Sequence, residues 1–308
     1  MILPALYLIN KPPGITSFQF LSPIKKRLGT KKIGHAGTLD KFAEGLMVVL
    51  AGQATRFAEY LANLDKSYCA ELSFGAETDT LDPHGRVAAT GPLPHRDSLL
   101  RCMRKFQGKI DQTPPEFSAI HIQGKRAHQR ARAGEEFTMP TRRIHIYSLR
   151  LLNYDGSHAS ISLECSKGTY VRSLARDLAH CAGTRAHLTQ LQRTSIGTFT
   201  SLNALDLDDF LALSNAEIGK RRIWGSKLLQ AVPHIRKITI PDNILPAIRN
   251  GKQLYLSEIA GASAELEPGL SALVNSSDDI QAIVEVPEDL SSAPVRIKYR
   301  RVFYTLDI

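Results

Sequence analysis

At 308 residues, 43% hydrophobic and 22% charged, the chain has room for one large domain and a small one. That composition belongs to a globular protein with a buried core and excludes a fibrous or disordered chain. The 39 Lys and Arg against 30 Asp and Glu leave a formal charge of +9, a balance that suits a polyanion such as nucleic acid. The four cysteines, Cys69, Cys102, Cys165 and Cys181, form no CxxC pair, which argues against a zinc knuckle. Scattered thiols fit a reducing cytosol. The apolar start is short and lacks a basic flank, and no apolar run is long enough to cross a bilayer. The expectation is a soluble cytoplasmic protein.

In chain order, residues 6–9 read as a short strand running into a Lys11-Pro12-Pro13-Gly14 turn. Ser22 as cap, Pro23 at the first position and Gly29 at the exit predict a helix over 24–28. Leu46–Leu50 is an apolar strand. Phe57, Tyr60, Leu61 and Leu64 share one face of a helix over 54–64. Residues 68–74 alternate as a strand does. Asp97 caps a helix that buries Leu99, Leu100, Met103 and Phe106 and ends at Gly108. Residues 143–153 and 158–165 are strands. A helix follows with Val171, Leu174, Leu178 and Cys181 on its buried stripe and Gly183 at its end; residues 187–200 are extended. From about Pro233 short strands and turns take over, at 237–240, 273–274, 282–286 and 295–304, punctuated by Gly251, Gly261, Pro268 and Gly269. No regular βαβ rhythm is present, so the fold class is α+β.

The stretch Gly34-His35-Ala36-Gly37-Thr38-Leu39-Asp40-Lys41-Phe42-Ala43-Glu44-Gly45-Leu46 stands out. Its glycines permit backbone conformations and close approaches that side chains forbid. A loop pinned between rigid elements is a common seat for reactive groups. On the residues alone, an aspartate in such a loop is more often a turn former bonding its own backbone.

The ordered set of motifs changes that balance. Gly34–Asp40 with Ala43 and Gly45-Leu46 resembles the G-H-x-G-x-L-D-P-x-A-x-G-x-L signature of the TruB family of pseudouridine synthases. Asn10-Lys11-Pro12-Pro13-Gly14-Ile15-Thr16-Ser17 is similar to that family's opening block. Asp65–Tyr68, Ser118–Ile120 with Gly124–Ala127, Cys165–Arg172 and Leu188–Arg193 follow in the family's order. The resemblance is strong over about residues 6–200 and weak beyond. Lys41 stands where the family has proline, Phe117 where tyrosine is common, and His121 where lysine is frequent.

The resemblance implies a mainly antiparallel mixed sheet of the pseudouridine synthase type over residues 1–234, with an RNA-contacting insertion at about 117–142. It implies a small PUA-like β-barrel over 235–308. It implies isomerisation of uridine 55 in the tRNA T-loop to pseudouridine: the base leaves the ribose through N1, rotates and rejoins through C5. No redox step or phosphate energy enters, so no cofactor or metal is expected, nor an obligate protein partner; a monomer acting on the T-arm is the expectation. Asp40 is the implied catalytic carboxylate, as nucleophile or as base on a sugar proton. Arg172 is its partner; were the chain extended over 170–172, Tyr170 and Arg172 would face one side. A uridine inside a folded loop must be flipped out, and Tyr68 is the implied stacking platform. Tyr170 would line the pocket, His35 would contact RNA, Lys11 would brace the site and Leu191 would pack on the base. Lys125, Arg126, Arg130 and Arg132 would meet phosphates, although a solvated helix face is the ordinary reading of such a run. Arg296, Lys298, Arg300 and Arg301 form a second basic cluster.

Three other readings compete. An RNA-guided synthase inside a ribonucleoprotein is separated by activity of the purified chain on bare tRNA. A non-catalytic tRNA-remodelling protein needs no Asp40, Tyr68 and Arg172 together. A metal-dependent hydrolase using His35 and Asp40 lacks further spaced ligands.

Overall fold

The computed structural model describes residues 3–259, 267–290 and 294–303. The first strand, β1 (Ala5–Lys11), pairs antiparallel with β3 (Glu44–Ala51), and the short β2 (Ile33–His35) lies on the other edge of β3. Helix α1 (Ser17–Arg27) comes between β1 and β2. It starts five residues before the predicted Ser22 cap, because Thr16 and Gln19 form a reciprocal capping box. Pro23 therefore sits inside the helix, and burial of Phe20, Leu21 and Ile24 on one face offsets its lost hydrogen bond.

A 3-10 turn at Gly52–Phe57 and helix α2 (Ala58–Ala62) lead into β4 (Lys66–Phe74), whose residues alternate strictly between buried and half-buried. The hairpin β5 (Ala76–Thr78) and β6 (Val87–Thr90) precedes α3 (Arg96–Lys105), whose N-cap is His95, with Asp97 in the first turn and not at the cap. Strand β7 (Gly108–Gln112) starts at Gly108. A small hairpin, β8 (His121–Ile122) and β9 (Lys125–Arg126), turns through Gln123 and Gly124, both at positive φ, and runs into α4 (Ala127–Arg132). The long pair β10 (Arg142–Tyr154) and β11 (His158–Cys165) is followed by α5 (Val171–Cys181) and β12 (Ala186–Ile196). Two short strands, β13 (Phe199–Thr200) and β14 (Leu205–Asp206), complete a ten-stranded sheet among the described residues, with spine order β14-β1-β3-β12-β4-β11-β10-β7. Two pairings in it, β1 with β14 and β12 with β3, are parallel; the others are antiparallel, so the mixed, mainly antiparallel expectation holds.

Helices α1, α3 and α5 cover one face of this sheet around Phe20, Met47, Leu72, Leu174 and Leu188. Cys102 on α3 and Cys181 on α5 are disulfide-bonded, with Cα atoms 5.9 Å apart, while Cys69 and Cys165 are free. Cys181 is exposed at the end of α5 and does not extend the helix's buried stripe.

The C-terminal strands β15 (Arg236–Thr239), β16 (Gly269–Val274), β17 (Ile280–Val286) and β18 (Lys298–Val302) pair in that order as a four-stranded sheet. The order is linear, so pairings among the described residues do not close it into a barrel. One buried cluster is shared by both sheets: Leu6, Leu46, Phe57 and Trp224 pack with Ala272, Ile283 and Phe303. Arg222 ties the two as well, donating to the Pro4 carbonyl at 2.8 Å and to Asp279 at 3.0 Å. The expected punctuation at Gly261 and the strand end at Tyr304 lie outside the described residues. No helix among the described residues is long and apolar enough to cross a membrane.

Candidate active site

The loop between β2 and β3 carries Asp40, and its shape is dictated by contacts from three directions. The Ser17 hydroxyl, at the start of α1, donates to the Leu39 carbonyl at 3.1 Å and accepts from the Leu39 amide at 3.0 Å. Lys11 is buried, and its ammonium donates to the carbonyls of Pro12 at 2.8 Å, Ile15 at 2.9 Å and Lys41 at 3.5 Å. Arg193 comes from the sheet beneath. It is 1% exposed, and its guanidinium donates to Leu46 O at 2.9 Å, Gly37 O at 3.1 Å and Thr38 O at 3.4 Å. Two motif glycines follow from this grip. A Cβ on Gly45 (φ +97°) would lie 2.4 Å from the Arg193 carbonyl, and Gly37 (φ +114°) lies against the Arg193 guanidinium. Phe42 and Ala43 are buried beyond the aspartate, while Lys41, between Asp40 and Phe42, is exposed.

Asp40 itself stays partly open, its side chain 34% exposed. Arg172 grips it as a two-pronged pair: Nε donates to Oδ2 at 2.9 Å and Nη2 to Oδ1 at 3.1 Å. This geometry fixes the carboxylate plane as well as its position. Arg172 is only 4% exposed, and its remaining donors reach Thr80 O at 2.9 Å and Phe117 O at 3.1 Å. The Asp82 carboxylate lies 4.0 Å from Nη1. The expected extended chain over 170–172 is corrected. Tyr170 is the N-cap residue of α5 and Arg172 lies within the helix's first turn. Arg172 therefore reaches inward from a helix, and alternation along a strand does not relate it to Tyr170.

Gln112, fully buried at the end of β7, holds that helix start. Its Oε1 accepts from the Tyr170 amide at 2.8 Å and its Nε2 donates to the Tyr170 carbonyl at 3.1 Å. The Tyr170 ring lies under the guanidinium of Arg142, 4.7 Å from its centroid. Tyr68 on β4 stands opposite Arg193 on β12, and Leu191 stands opposite Ala70. Tyr68 and Leu191 thus share the face from which Arg193 rises. Tyr68 is buried, which pushes its hydroxyl up to about 12, with Arg193 pulling the other way. Its charge environment includes Asp40, as does that of Lys11, so all three side chains fall in one electrostatic neighbourhood.

Burial lowers Lys11 to about 8 despite attraction from Asp40. Burial, with repulsion from Arg193, lowers Lys66 to about 8 as well; its ammonium donates to Ala62 O at 3.0 Å and Leu64 O at 2.6 Å. His35 ends β2 and is not on an irregular loop. Burial and then Arg193 hold its imidazole below the ordinary range, and its Nδ1 is buried without a hydrogen-bond partner.

The insertion's base belongs to the site through Phe117 O, and its end through Arg142 over Tyr170. Glu135 pairs with Lys125 at 3.2 Å and with Arg130 at 2.7 Å, while Arg126 and Arg132 are exposed. Arg130 also stacks over Phe137, 5.1 Å from the ring centroid. Four contributors carry no role that the sequence reveals. Arg193 closes a block that was recognised without being given a role, Gln112 has no local signal, and Thr80 O and Phe117 O act through backbone atoms that any residue supplies. Among the described residues no group of three His, Cys, Asp or Glu side chains is placed to hold a metal ion.

A carboxylate fixed by a buried arginine on a carbonyl-braced loop, beside a tyrosine and a leucine on the sheet, is joined by a clear likeness to known proteins. The profile of the TruB family pseudouridylate synthase N-terminal domain matches residues 25–171. The chain is 41% identical over 247 residues to the tRNA pseudouridine synthase B of Borreliella burgdorferi, covering 79% of this chain and 84% of that one. The chain belongs to the TruB family. Other similar members are the tRNA pseudouridine synthases B of Borrelia garinii subsp. bavariensis, 48% identical over 248 residues (79% of this chain, 84% of that one), and of Caulobacter vibrioides, 34% identical over 286 residues (90% and 91%). In fold, this TruB-family chain is similar to a crystal structure of a Cbf5-Nop10-Gar1 complex, with a TM-score of 0.73, 24% identity, and coverage of 97% of this chain and 85% of that one.

Proposed function

We propose that this chain converts uridine 55 in the T-loop of tRNA to pseudouridine, with Asp40 as the catalytic carboxylate. The observation that carries the reading is the two-pronged hold of a nearly buried Arg172 on a partly open Asp40. Such a hold leaves the carboxylate one defined orientation toward a substrate and lets little freedom be lost on reaction. Asp40 acts on the ribose or the base, as nucleophile or as base on a sugar proton. Either way the reaction is redox-neutral, and the glycosidic bond broken at N1 is replaced by one at C5. The flipped uridine enters between Tyr68, Tyr170 and Leu191. Tyr68 is buried in the free protein, so its ring meets the base only as the base displaces what covers it.

Lys11 serves the site by bracing the carbonyls behind Asp40, and His35 lies along the path of the RNA. Lys125, Arg126, Arg130 and Arg132 on the 117–142 insertion contact phosphates of the arm. Residues 1–234 act as the catalytic unit and 235–308 as a PUA-like RNA-contacting unit. The enzyme works in the cytoplasm as a monomer, without cofactor or metal.

The test is an unmodified tRNA transcript incubated with purified protein, with pseudouridine mapped by chemical labelling and primer extension. Wild-type protein should mark one position in the T-loop. Asp40→Ala should bind the transcript and form no pseudouridine, a loss of at least about 10³-fold. Isomerisation that survives Asp40→Ala would remove the assignment. Wild-type protein that binds without reacting would favour the remodelling reading.

A further inference from the structure

We propose that Phe18 and the exposed face of α1 form a second RNA-contacting surface, on which a base next to the flipped uridine stacks. The inference rests on the reading of RNA as substrate and adds a subsite to it. Phe18 is 75% exposed, an unusual placement for a large aromatic side chain. It takes no part in the helix's packing, which buries Ser17, Phe20, Leu21 and Ile24 on the opposite side. Residues 18, 22, 25 and 26 fall at i, i+4, i+7 and i+8, so Phe18, Ser22, Lys25 and Lys26 share the outer face. Lys25 already lies over the ring, 5.4 Å from its centroid. A base stacked on the ring would have this ammonium within reach of its phosphate.

Single exposed aromatics are common and by themselves mean little. Two further features single this one out. The first is location: Phe18 follows Ser17, whose hydroxyl makes both hydrogen bonds to Leu39 next to Asp40, and the Gly14 amide donates to Lys41 O at 2.8 Å. The platform is thus stitched to the same loop as the carboxylate. The second is charge. Residues 1–39 contain no Asp or Glu and six Lys or Arg. Lys26, Lys31, Lys32 and Lys41 are exposed around α1 and the Asp40 loop. A basic segment carrying an open ring, one residue from the hydrogen bonds that brace the Asp40 loop, matches a single strand of nucleic acid, in which every base offers a stacking face and every linkage a phosphate.

The experiment compares wild type, Phe18→Ala, Phe18→Trp and the double variant Lys25→Gln with Lys26→Gln, using unmodified tRNA transcript. Binding is read by anisotropy over a salt series and chemistry by single-turnover pseudouridine formation at saturating protein. Phe18→Ala should weaken binding by about 5- to 100-fold, and Phe18→Trp should stay within about threefold of wild type. The saturated rate of each should be unchanged. The lysine variant should reduce the slope of log affinity against log salt by about 1 to 2. Unchanged affinity of Phe18→Ala overturns the proposal. If that unchanged affinity comes with altered sedimentation, the face belongs to a protein contact instead. A melting temperature lowered by several degrees in Phe18→Ala also overturns it, by making the ring structural. Failure here is separable from failure of the reaction. A wild type that binds through Phe18 but makes no pseudouridine keeps the platform and loses the chemistry. A wild type that reacts while Phe18→Ala matches it does the reverse.

Discussion

The Asp40 loop and the 117–142 insertion are both polar and both rich in cations, yet they are built in opposite ways. Around Asp40 four cations are buried, Lys11, Lys66, Arg172 and Arg193, and each donates to backbone carbonyls, while Lys41 stays exposed. In the insertion the cations are exposed or half-buried, and two of them, Lys125 and Arg130, lean on one carboxylate, Glu135. Buried donors without alternatives in water hold geometry, because any departure leaves a polar group unsatisfied. Exposed pairs cost little to break. The contrast separates a rigidly held carboxylate loop from a segment whose charged side chains can rearrange at little cost.

The sharpest way to break the comparison is Arg172→Met. It strips Asp40 of its partner and orphans Thr80 O and Phe117 O, so single-turnover pseudouridine formation should fall about 10²- to 10³-fold. A rate within a few-fold of wild type would mean the loop holds Asp40 without the arginine.

A smaller effect should appear in stability against pH. Lys11 and Lys66 titrate near 8 when folded against 10.5 unfolded. Between those values the unfolded chain holds the protons that the folded one has released, so stability rises with pH across that window. The slope should be on the order of 1 kcal/mol per pH unit for each lysine. Urea midpoints of wild type and Lys66→Met over pH 7.5–9.5 check this; the variant should show the shallower rise.

The smallest effect belongs to the insertion. Glu135→Gln releases Lys125 and Arg130, and the melting temperature should move by less than about 2 °C. Transcript binding should tighten, with a salt slope steeper by about 1 to 2. A large loss of stability would show that the insertion is as tightly determined as the site.

Much of this contrast was legible beforehand. Asp40, its glycines and the block containing Arg172 stand in recognisable order, and the strands at 46–50, 68–74, 143–153 and 158–165 follow from apolar runs and alternation. The start of α1 was misplaced because Ser22-Pro23 is a strong local start signal, while Thr16 and Gln19 win only as part of a helix whose face is already buried. A short stretch before a helix does not say in which residue the turn begins, so alternation alone puts Tyr170 and Arg172 on one face. Arg193 and Gln112 were passed over because a buried polar side chain looks, in sequence, like any exposed one.

By itself the sequence determined the family and the mixed sheet with its helices, and it singled out Asp40 as the candidate carboxylate, since hydrophobic period and ordered motifs are local properties of the chain. Only the tertiary structure decided what holds that carboxylate. Arg172 lies 132 residues away in sequence, and Arg193 reaches the Asp40 loop across about as long a stretch. It also decided the disulfide of Cys102 with Cys181 and the core shared by the two sheets. Each of these is a contact between distant segments, and their chemistry depends on which donors are shut away from water, a quantity that no residue carries on its own.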